Sequence, residues 1–582
     1  MGVEEIIEEN GRPLRAIDLY AGVGGWSLGL SLAGIEVVAS YEWWSPACLT
    51  NRANGGHTVL QRDIRSLDLG ELPSNIDIVV GSPPCTQFSL ANRGGSGDLA
   101  DGVRDLRAFL RIVARLRPRY WVFENVVRAA QIFEREVYSG SLSEFAWLTP
   151  TVHVVDASRF GIPQRRTRAF VGNIDFNLLE AYSSAMPQKT LGEVIASVNS
   201  QDACVADPTW GWGYGRGAVT DVDHEVPLTP QETRLNRDAK ANNPIYNGMA
   251  FPDDLNRPSR TVTATCTRVS RESIVVEMPG RLATYRRLSV RERAALQGFP
   301  LWFQFLGETH TQKLKMIGNA VPPSLTFLVA QAIKQVSPPE LRQPMDVGRG
   351  KPHPLVESTR TTPDVPRQAY KADRTFAAAI PNLRFKSGTR FEVSNRIGPD
   401  TRQAWACRFF WGSSKDVRSL VFSPISLKAL VSAIESKESQ TCLIEAYHET
   451  AALAASTLPG NLQLSWTGSA ESNDAHAFVD WLGEIALRAE ATLRDSLDTS
   501  GMLRIQARIS LMLAAGKPSV VATIPRKIHV HARSIAVGIA IAAGVNGAWD
   551  VDASLGANTL QVSRLPVVDM ASPHLVQAAL AI

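Results

Sequence analysis

The chain has 582 residues, more than one hydrophobic core can hold, so the sequence predicts two or three domains. Its composition, 44% apolar and 20% charged, excludes disordered and collagen-like chains, and a net charge of +4 permits a polyanionic partner without requiring one. The 6 cysteines show no CxxC spacing, so neither a metal site nor a disulfide framework is indicated.

The first predicted elements are a strand, a glycine-rich turn and a helix. Residues 14–19 form a short apolar strand, residues 18–25 read Asp-Leu-Tyr-Ala-Gly-Val-Gly-Gly, and residues 26–33 have helical spacing. The glycines allow a sharp turn and a close approach of the backbone to a ligand, and a helix N-terminus favours polar or anionic groups. A motif of this kind fits an ordinary tight turn as well as a nucleotide-like ligand.

The next two predicted strands each lead to an acidic residue. Residues 36–41 end in Glu42 and Trp43, about twenty residues after the glycines, where a carboxylate accepts hydrogen bonds from ribose hydroxyls. Trp43 either offers a face to an adenine ring or packs internally. The third strand leads to Asp63 and Ile64, and Asp63 either holds an amino group of the same ligand or lies in a solvated turn.

A fourth predicted strand delivers a cysteine directly after two prolines. Residues 76–81 are apolar and β-branched, and Gly-Ser-Pro-Pro then leads to Cys85. The prolines stiffen the segment and hold the thiol at the carboxyl end of a strand, where open α/β sheets place their ligands. The alternative is a buried structural cysteine, which is common for this residue type.

A fifth unit completes the β/α alternation. Residues 104–117 form an amphipathic helix, and the strand 120–123 ends in Glu124-Asn125-Val126. Five successive β-α units predict a doubly wound parallel sheet in which the first, fourth and fifth strands are neighbours. The glycine turn, Cys85 and Glu124 then share one crevice, which makes Glu124 a catalytic candidate rather than an edge residue that faces water.

An arginine-containing segment precedes the next strand, at residues 169–172. Residues 164–168 read Gln-Arg-Arg-Thr-Arg, so Arg166 and Arg168 point to the same face of an extended chain. Their side chains either act on a ligand in the crevice or form a solvated basic edge.

The β/α rhythm is lost between residues 175 and 280. The aromatic and glycine-rich stretch 210–217 suits either a loop that approaches nucleic acid or the core of a small β-rich subdomain. Several arginines that follow are expected to contact DNA phosphates. They are Arg268, Arg271, Arg281, Arg286, Arg287, Arg291 and Arg293.

The β/α character returns after this insert. A capping box at Ser289 and Glu292 opens a helix over 289–297, and Gly-Asn-Ala-Val at 318–321 precedes an apolar helix over 325–333. Residues 337–373 are predicted to be a linker. The remainder is expected to be an α+β domain with strands at 418–422, 519–523 and 559–565 and helices at 475–493 and 503–513.

The predicted location is the cytoplasm, without membrane contact. Reduced cysteines fit that compartment, and the acidic residues 1–10 lack the apolar core of a signal peptide. The longest apolar run, residues 534–545, is shorter than the ~20 residues that cross a bilayer, so it is expected to be core.

Six separated blocks together resemble the DNA (cytosine-5) methyltransferase family. They are Asp18-Leu19-Tyr20-Ala21-Gly22-Val23-Gly24-Gly25, Glu42-Trp43, Pro83-Pro84-Cys85, Glu124-Asn125-Val126, Gln164-Arg165-Arg166-Thr167-Arg168 and Gly318-Asn319-Ala320-Val321. The resemblance covers 14–172 and 284–333 and departs from the family pattern at Tyr20, where phenylalanine is commoner, and at Thr86, where glutamine is usual.

The resemblance implies a Rossmann-like methyltransferase domain, formed by residues 1–174 and 281–336. A target-recognition domain is then expected at 175–280, followed by the linker at 337–373 and the accessory domain at 374–582. The implied substrate is double-stranded DNA, and the accessory domain is expected to contact a restriction or defence-system partner. The implied cofactor is S-adenosyl-L-methionine, with the binding residues Asp18, Tyr20, Ala21, Gly22, Gly24, Gly25, Glu42, Trp43, Asp63, Ile64, Pro84 and Asn319.

Cytosine C5 must be activated before it can accept a methyl group, and four residues are expected to do this. The Cys85 thiolate adds to C6, Glu124 protonates or hydrogen-bonds N3, and Arg166 and Arg168 orient the base through O2. One alternative is a tRNA cytosine-5 methyltransferase, against which the large insert argues. Another is a catalytically silent DNA-binding regulator, against which the intact cysteine and glutamate blocks argue.

Overall fold

The computed structural model describes residues 12–84, 88, 99–241, 249–348, 361–367, 370–385, 388–395, 405–413, 416–468, 474–514 and 526–551. The chain forms two compact units, of which the first contains most residues up to Val365 and the second contains the residues from Pro366 onward together with Thr229–Gln231. Each unit has a hydrophobic core of its own.

A seven-stranded sheet forms the centre of the first unit. Its strands are β1 (Arg15–Leu19), β2 (Glu36–Glu42), β3 (Thr58–Gln61), β4 (Ile78–Gly81), β5 (Tyr120–Asn125), β6 (Thr151–Asp156) and β7 (Thr167–Gly172). The order across the sheet is β3-β2-β1-β4-β5-β7-β6, and β7 runs antiparallel to both of its neighbours. The other pairs are parallel, which confirms the predicted α/β class and the doubly wound Rossmann-like sheet.

Helices pack on both faces of this sheet. The helices between residues 12 and 348 are α1 (Gly25–Leu32), α2 (Ser45–Asn54), α3 (Leu99–Leu116), α4 (Val127–Ser139), α5 (Phe176–Tyr182), α6 (Leu191–Val198), α7 (Pro230–Ala241), α8 (Val290–Leu296), α9 (His310–Asn319) and α10 (Pro323–Ile333). Successive strand residues point to opposite faces, so Ile78 and Val80 enter one apolar cluster with Trp26 of α1, whereas Val79 enters another with Phe109 of α3.

The strand order brings three predicted site segments together. Leu19 at the end of β1 pairs with Gly81 of β4, which in turn pairs with Phe123 of β5. Parallel strands end at the same edge of a sheet. The glycine turn, the segment after Gly81 and Glu124 therefore emerge side by side, and the predicted neighbourhood of the first, fourth and fifth strands is confirmed.

Strand β6 was not predicted, and its position explains why. It lies at the edge of the sheet, and most of its residues are partly or fully exposed. Its sequence, Thr-Val-His-Val-Val-Asp, contains three valines, but it lies outside the regular alternation of strands and helices from which β1 to β5 were predicted.

The region 175–280 is part of the first unit and contains little regular structure. Its aromatic stretch is internal, because Trp210, Trp212 and Tyr214 are all buried and the two indole rings stack with their centroids 5.2 Å apart. Of the two interpretations of this stretch, the structure supports the core of a subdomain. The short strands here pair as two hairpins, β8 (Cys204–Ala206) with β9 (Gly213–Gly215) and β10 (Val275–Glu277) with β11 (Tyr285–Arg287).

The arginines of this region correct the expectation of a phosphate-binding surface. Five of the seven are buried: Arg268, Arg286, Arg287, Arg291 and Arg293. Arg286 pairs with Glu292 at 2.7 Å, and Arg287 pairs with Glu225. A buried charge requires a partner of opposite sign, and these carboxylates provide it inside the unit. Arg281 is exposed and remains available to a phosphate.

The start of the expected linker packs onto the first unit. Val347 is buried, and its carbonyl oxygen accepts a hydrogen bond from Trp212 Nε1 at 2.8 Å. Gln331 Nε2 of α10 donates to the carbonyl oxygen of Arg342 at 2.7 Å.

One helical stretch in the described part of the chain, His310–Ile333, is long and apolar enough to cross a membrane. Its most apolar window is 94% buried inside the protein. The stretch is also interrupted, because α9 ends at Asn319 and α10 begins at Pro323.

The second unit is an α+β arrangement, as predicted. Its strands β12 (Ala377–Arg384), β13 (Arg390–Ser394), β14 (Ala406–Ser413) and β15 (Asp416–Val421) form an antiparallel sheet in chain order. Its helices are α11 (Pro424–Val431), α12 (Lys437–Ser456), α13 (Pro459–Thr467), α14 (Asp474–Ser496), α15 (Thr499–Leu513), α16 (Arg526–Val530) and α17 (Ala532–Ala548).

Helix α17 contains the longest apolar run and forms the core of this unit. Its residues are buried on all sides, and a Cβ at Gly538 would lie only 2.2 Å from the ring of Phe391. The expectation that residues 534–545 are core is therefore confirmed. The strand near 418–422 and both predicted helices are present, whereas the strands expected at 519–523 and 559–565 lie outside the described residues.

Candidate active site

An open pocket of about 350 Å³ lies at the carboxyl edge of the sheet. Its walls come from the glycine turn, the end of β2, residues 82–84, Glu124 and residues 315–321. This volume suits a cofactor-sized ligand. The predicted cofactor residues that line it are Tyr20, Ala21, Gly22, Gly25, Glu42, Trp43, Pro84 and Asn319.

The glycine turn needs its glycines for two different reasons. Gly22 and Gly24 have φ angles of 54° and 91°, in the left-handed region that side chains disfavour. Gly25 allows a close approach, because a Cβ there would lie 2.2 Å from the carbonyl oxygen of Val321. Gly24 caps α1 beside the pocket, where a Cβ would lie 2.5 Å from Asn51 Oδ1.

Glu42 connects the end of β2 to the glycine turn. Its Oε2 accepts a hydrogen bond from the Gly22 backbone N–H at 2.9 Å, and its Oε1 accepts one from Trp44 at 2.7 Å. Burial raises the pKa of this carboxyl group, although the two backbone hydrogen bonds oppose the rise. Each carboxylate oxygen has a second lone pair, so both oxygens can also accept from ribose hydroxyls.

Two tryptophans and a lysine surround the mouth of the pocket. Trp43 is 62% exposed and offers a free ring face. Lys315 Nζ lies 4.7 Å from the ring centroid of Trp44, a cation–π distance. Sequence reasoning missed Lys315 and Trp44, because no local signal connects residues so far apart in the chain.

Tyr20 lines the pocket from a strained backbone position. Its φ angle is 54°, and its hydroxyl donates to Asp105 of α3 at 3.2 Å. Burial raises the pKa of the Tyr20 hydroxyl, so it stays a donor. The aromatic ring expected against the cofactor is thus also connected to α3.

Asp63 and Ile64 lie outside the pocket wall. Asp63 is exposed and caps the helical turn Ile64–Ser66, where its Oδ1 accepts the backbone N–H of Arg65 at 3.0 Å. Ile64 is buried in the cluster beneath.

Asp18 lies beneath the glycine turn and is fully buried. Its Oδ2 accepts hydrogen bonds from the Ser27 hydroxyl at 2.7 Å and the Ser27 backbone N–H at 3.2 Å. Its Oδ1 is buried and has no hydrogen-bond partner among the residues that the structure describes, and burial raises the pKa of Asp18 to about 7. Asp18 stands outside the residues that line the pocket, so a contact with a ligand there stays a prediction.

Cys85 and Thr86 lie outside the described residues. The chain that leads to Cys85 is firmly held, since Asn125 Nδ2 donates to the Pro83 carbonyl oxygen at 3.0 Å. Trp26 Nε1 donates to Ser82 Oγ at 3.0 Å. Asn125 and Ser82 were not named as site residues from sequence, although Asn125 is part of the Glu-Asn-Val block.

Glu124 and Arg168 form an ion pair at the pocket. Arg168 Nε lies 3.0 Å from Glu124 Oε1, and both side chains are largely buried. The antiparallel pairing of β5 with β7 sets this contact, because Asn125 pairs with Ala169, one residue from each partner. The structure therefore brings together two of the four predicted catalytic residues, and Glu124 lines the pocket.

Arg166 is directed elsewhere, although it was predicted to act beside Arg168. Its guanidinium donates to the carbonyl oxygens of Val262 at 3.2 Å, Gly318 at 3.2 Å and Ala320 at 3.1 Å. It thus connects the region 175–280 to the turn that carries Asn319. In this structure Arg166 supports the pocket wall from behind.

The turn at 318–321 completes the pocket, as its family block suggests. Asn319, Ala320 and Val321 line it, and a Cβ at Gly318 would lie 2.2 Å from the backbone nitrogen of Ala264. The close approach that glycine permits here presses this turn against the inserted region.

The residues present fit S-adenosyl-L-methionine. The glycine turn has no room for a side chain at Gly25, where a Cβ would collide with Val321. Without side chains, the glycines leave the main chain of the turn accessible to a ligand in the pocket. Glu42 offers acceptors for a ribose, and the exposed ring of Trp43 offers a face for adenine.

Known proteins match the first unit. The family model for C-5 cytosine-specific DNA methylases matches residues 14–335. The type II methyltransferases M.HgiDI of Herpetosiphon aurantiacus and M.AplI of Arthrospira platensis are 30% and 31% identical, with 57% of this chain covered in each case. The alignments cover 97% and 89% of these relatives. The solved Dnmt2 methyltransferase of S. pombe aligns over 56% of this chain and 99% of its own, with 16% identity and a TM-score of 0.41.

The match to the family model spans more than half of the chain, from before β1 to just beyond α10. It therefore includes every segment that lines the pocket, and the unit that begins at Pro366 lies beyond it. The chain belongs to the C-5 cytosine-specific DNA methylase family and is a DNA (cytosine-5) methyltransferase.

Proposed function

We propose that the protein transfers a methyl group from S-adenosyl-L-methionine to C5 of a flipped cytosine, through a covalent bond between Cys85 and C6. One observation supports this most directly: Pro84 and Glu124 line the same pocket as the glycine turn. Pro84, which precedes the proposed nucleophile, and Glu124, the proposed acid, thus both lie beside the glycine turn.

The chain activates cytosine from two sides of the ring. Addition of the Cys85 thiolate to C6 forms a carbon–sulfur bond and moves an electron pair into the ring toward N3. We assign Glu124 the donation of a proton or a hydrogen bond to N3, which stabilises this charge. The activated ring is nucleophilic at C5.

Neighbouring residues hold these groups in position. Arg168 orients Glu124 through their ion pair and offers N–H donors to the O2 atom of the base. Asn125 fixes Pro83, two residues before the nucleophile, and Arg166 fixes the turn that carries Asn319. We therefore assign Arg166 a positioning role.

S-adenosyl-L-methionine, when bound, supplies the electrophilic methyl group. After transfer, a base such as solvent water accepts the C5 proton, and the C–H electron pair re-forms the C5=C6 double bond. The bond from C6 to sulfur breaks, Cys85 leaves as the thiolate, and N3 returns its proton to Glu124.

The substrate cytosine must leave the helix, because C5 and C6 are shielded inside a duplex. Flipping costs a few kcal/mol, which contacts of a recognition domain offset. We assign this recognition role to residues 175–280, enclosed by the catalytic segments 1–174 and 281–336.

The setting we propose is a cytoplasmic restriction-modification system without membrane contact. The relatives M.HgiDI and M.AplI are type II methyltransferases, which supports this setting. Residues 374–582, joined through 337–373, are proposed to contact a restriction or defence-system partner.

Covalent trapping tests the mechanism. The fluorine of 5-fluorocytosine cannot leave as the C5 proton does, so Cys85 stays bound to C6. A random-sequence duplex library made with 5-fluorodeoxycytidine should form a denaturation-resistant complex with the wild type when S-adenosyl-L-methionine is present.

The Cys85→Ala variant should form no such complex. Cys204→Ala, which removes an exposed thiol outside the pocket, should form it like the wild type. A complex that persists in Cys85→Ala would contradict the assignment of the nucleophile. A complex formed with a fluorinated tRNA library in place of the duplex would identify an RNA methyltransferase.

A further inference from the structure

Arg65 joins the segment at the edge of the cofactor site to helix α3. Its Nε and one terminal nitrogen donate to both carboxylate oxygens of Asp105, each at 2.7 Å. The other terminal nitrogen donates to Asp101 Oδ1 at 2.8 Å. This bidentate hydrogen bonding to Asp105 fixes the orientation of the guanidinium as well as its position.

The network also reaches the pocket wall. Tyr20, which lines the pocket, donates its hydroxyl to the carbonyl oxygen and to Oδ1 of Asp105, both at 3.2 Å. Asp63, a predicted cofactor residue, caps the turn that contains Arg65. Two segments beside the cofactor site therefore converge on one buried carboxylate of α3.

The same turns of α3 also contact Phe88. Phe88, three residues after Cys85, is fully buried. A Cβ at Gly102 would lie 2.4 Å from the Phe88 ring, so the ring packs directly on the helix backbone between Asp101 and Asp105. The position of α3 thus sets the position of Phe88.

We propose that Arg65 is a positioning residue for methyl transfer, which holds the start of α3, and with it Tyr20 and Phe88, in place relative to the cofactor site. Arg65 touches neither the pocket nor the reacting atoms, so it acts through Asp105. The inference rests on the proposed function, since it concerns the alignment of nucleophile and cofactor.

The degree of burial distinguishes this network from an ordinary surface ion pair. The Asp105 side chain is 6% exposed and receives donors from both Arg65 and Tyr20. A buried carboxylate without its arginine must be solvated or move, which displaces the helix that carries it. Exposed ion pairs such as Arg62 with Glu71, at 3.9 Å, have no such consequence.

The test compares Arg65→Met with Arg62→Met, a matched substitution three residues earlier on an exposed side chain. Steady-state methylation of a DNA library and calorimetry with S-adenosyl-L-methionine give kcat and cofactor affinity separately. Since small misplacements of reacting groups are costly, kcat of Arg65→Met should fall about tenfold or more. Its cofactor Kd should change less than about threefold, because the pocket contacts remain.

Two further variants test whether the effect runs through Asp105. Arg65→Lys should recover only part of kcat, since an ammonium cannot bond both oxygens as the guanidinium does. Arg65→Met added to Asp105→Asn should cost little beyond Asp105→Asn alone, because the shared interaction is already lost. Arg62→Met should behave as the wild type.

Each other outcome overturns a defined claim. An active wild type with an equally active Arg65→Met variant overturns this inference alone. Parallel losses of kcat, cofactor affinity and melting temperature, fully restored in Arg65→Lys, also overturn it, since they indicate a merely structural role. A folded wild type that methylates no DNA overturns the proposed function and this inference with it.

Discussion

Glu42 has two tasks at the end of β2, and both depend on its two oxygens. It accepts backbone N–H groups from the glycine turn and from Trp44, and it offers its remaining lone pairs to the pocket. A glutamine could accept with only one of its two terminal atoms. The carboxylate therefore holds the shape of the turn, and it is also the group to which we assign the ribose contact.

Glu42→Ala should weaken cofactor binding more than DNA binding. Loss of hydrogen bonds to a buried carboxylate, with two backbone donors left unpaired, predicts an affinity for S-adenosyl-L-methionine lowered about tenfold or more. Calorimetry measures this affinity, and fluorescence anisotropy with a duplex measures DNA affinity. Glu36→Ala, at the exposed start of the same strand, is the control. Unchanged cofactor affinity in Glu42→Ala would refute the assignment.

Asp18 should make the first unit less stable as pH rises. Its pKa in the folded protein is about 7, above the ordinary 3.8, because burial disfavours the charged form. Between these two values the folded state binds the proton more tightly than the unfolded state, so stability declines with rising pH.

Urea unfolding of the wild type and Asp18→Asn across this range isolates the effect. The free energy of unfolding of the wild type should decrease relative to that of the variant as pH rises from 3.8 to about 7, and the difference should then level off. Two curves that stay parallel would show that Asp18 does not titrate differently on folding.

Helices α1 and α10 show how distant segments of the chain build one site. Thr326 Oγ1 donates to the carbonyl oxygen of Gly25 at 2.8 Å, and a Cβ at Gly29 would lie 2.1 Å from Thr326 Oγ1. The close contact that these glycines permit fixes the turn before α10 against the glycine turn. The cofactor site thus depends on helix packing across most of the first unit.

Within the second unit, one side chain connects α17 to two strand ends. Asn546 Oδ1 accepts the Cys407 N–H at 2.9 Å, and its Nδ2 donates to the carbonyl oxygens of Cys407 at 2.9 Å and Phe422 at 2.8 Å. All three bonds are buried. This amide stabilises the contact between the central helix and the sheet.

Asn546→Ala should destabilise this unit by about 2–4 kcal/mol, because buried backbone groups lose their partners. Hydrogen exchange followed by mass spectrometry should show faster exchange in β14 peptides and unchanged exchange in β1. Asn461→Ala, on an exposed position of α13, should leave both unchanged. Protection of β14 equal to that in the wild type would contradict this role.

Local patterns in the sequence were sufficient for the elements with strong signals. The apolar runs that became β1, β2, β4 and β5 predicted the sheet, and the glycine, Pro-Cys and Glu-Asn-Val blocks predicted most of the pocket. A buried strand must be apolar and a sharp turn needs glycine, so both leave a local trace.

Contacts between distant segments left no such trace. The direction of Arg166 toward Gly318 and the contact of Lys315 with Trp44 depend on how separate segments pack. The arginines of the inserted region looked like a DNA surface, because a sequence shows charges without showing the carboxylates that neutralise them. Arg287 has Glu225 as its partner, which lies far away in the chain.

At the scale of the whole molecule, the methyltransferase features lie in the first of the two units. The family match and the pocket belong to the first unit, whereas the role of the second unit is a proposal. A net charge of +4 on a chain of 582 residues adds little attraction for DNA. Under the proposed function, specific contacts of residues 175–280 then supply most of the recognition.

Genome-wide bisulfite sequencing tests the central claim most directly. The wild type and Cys85→Ala are expressed separately in a bacterium without cytosine methylation, and the converted genomes are sequenced. The account predicts one protected cytosine within a short defined sequence for the wild type and none for the variant. A folded wild type that protects no cytosine, or protection retained in Cys85→Ala, would contradict it.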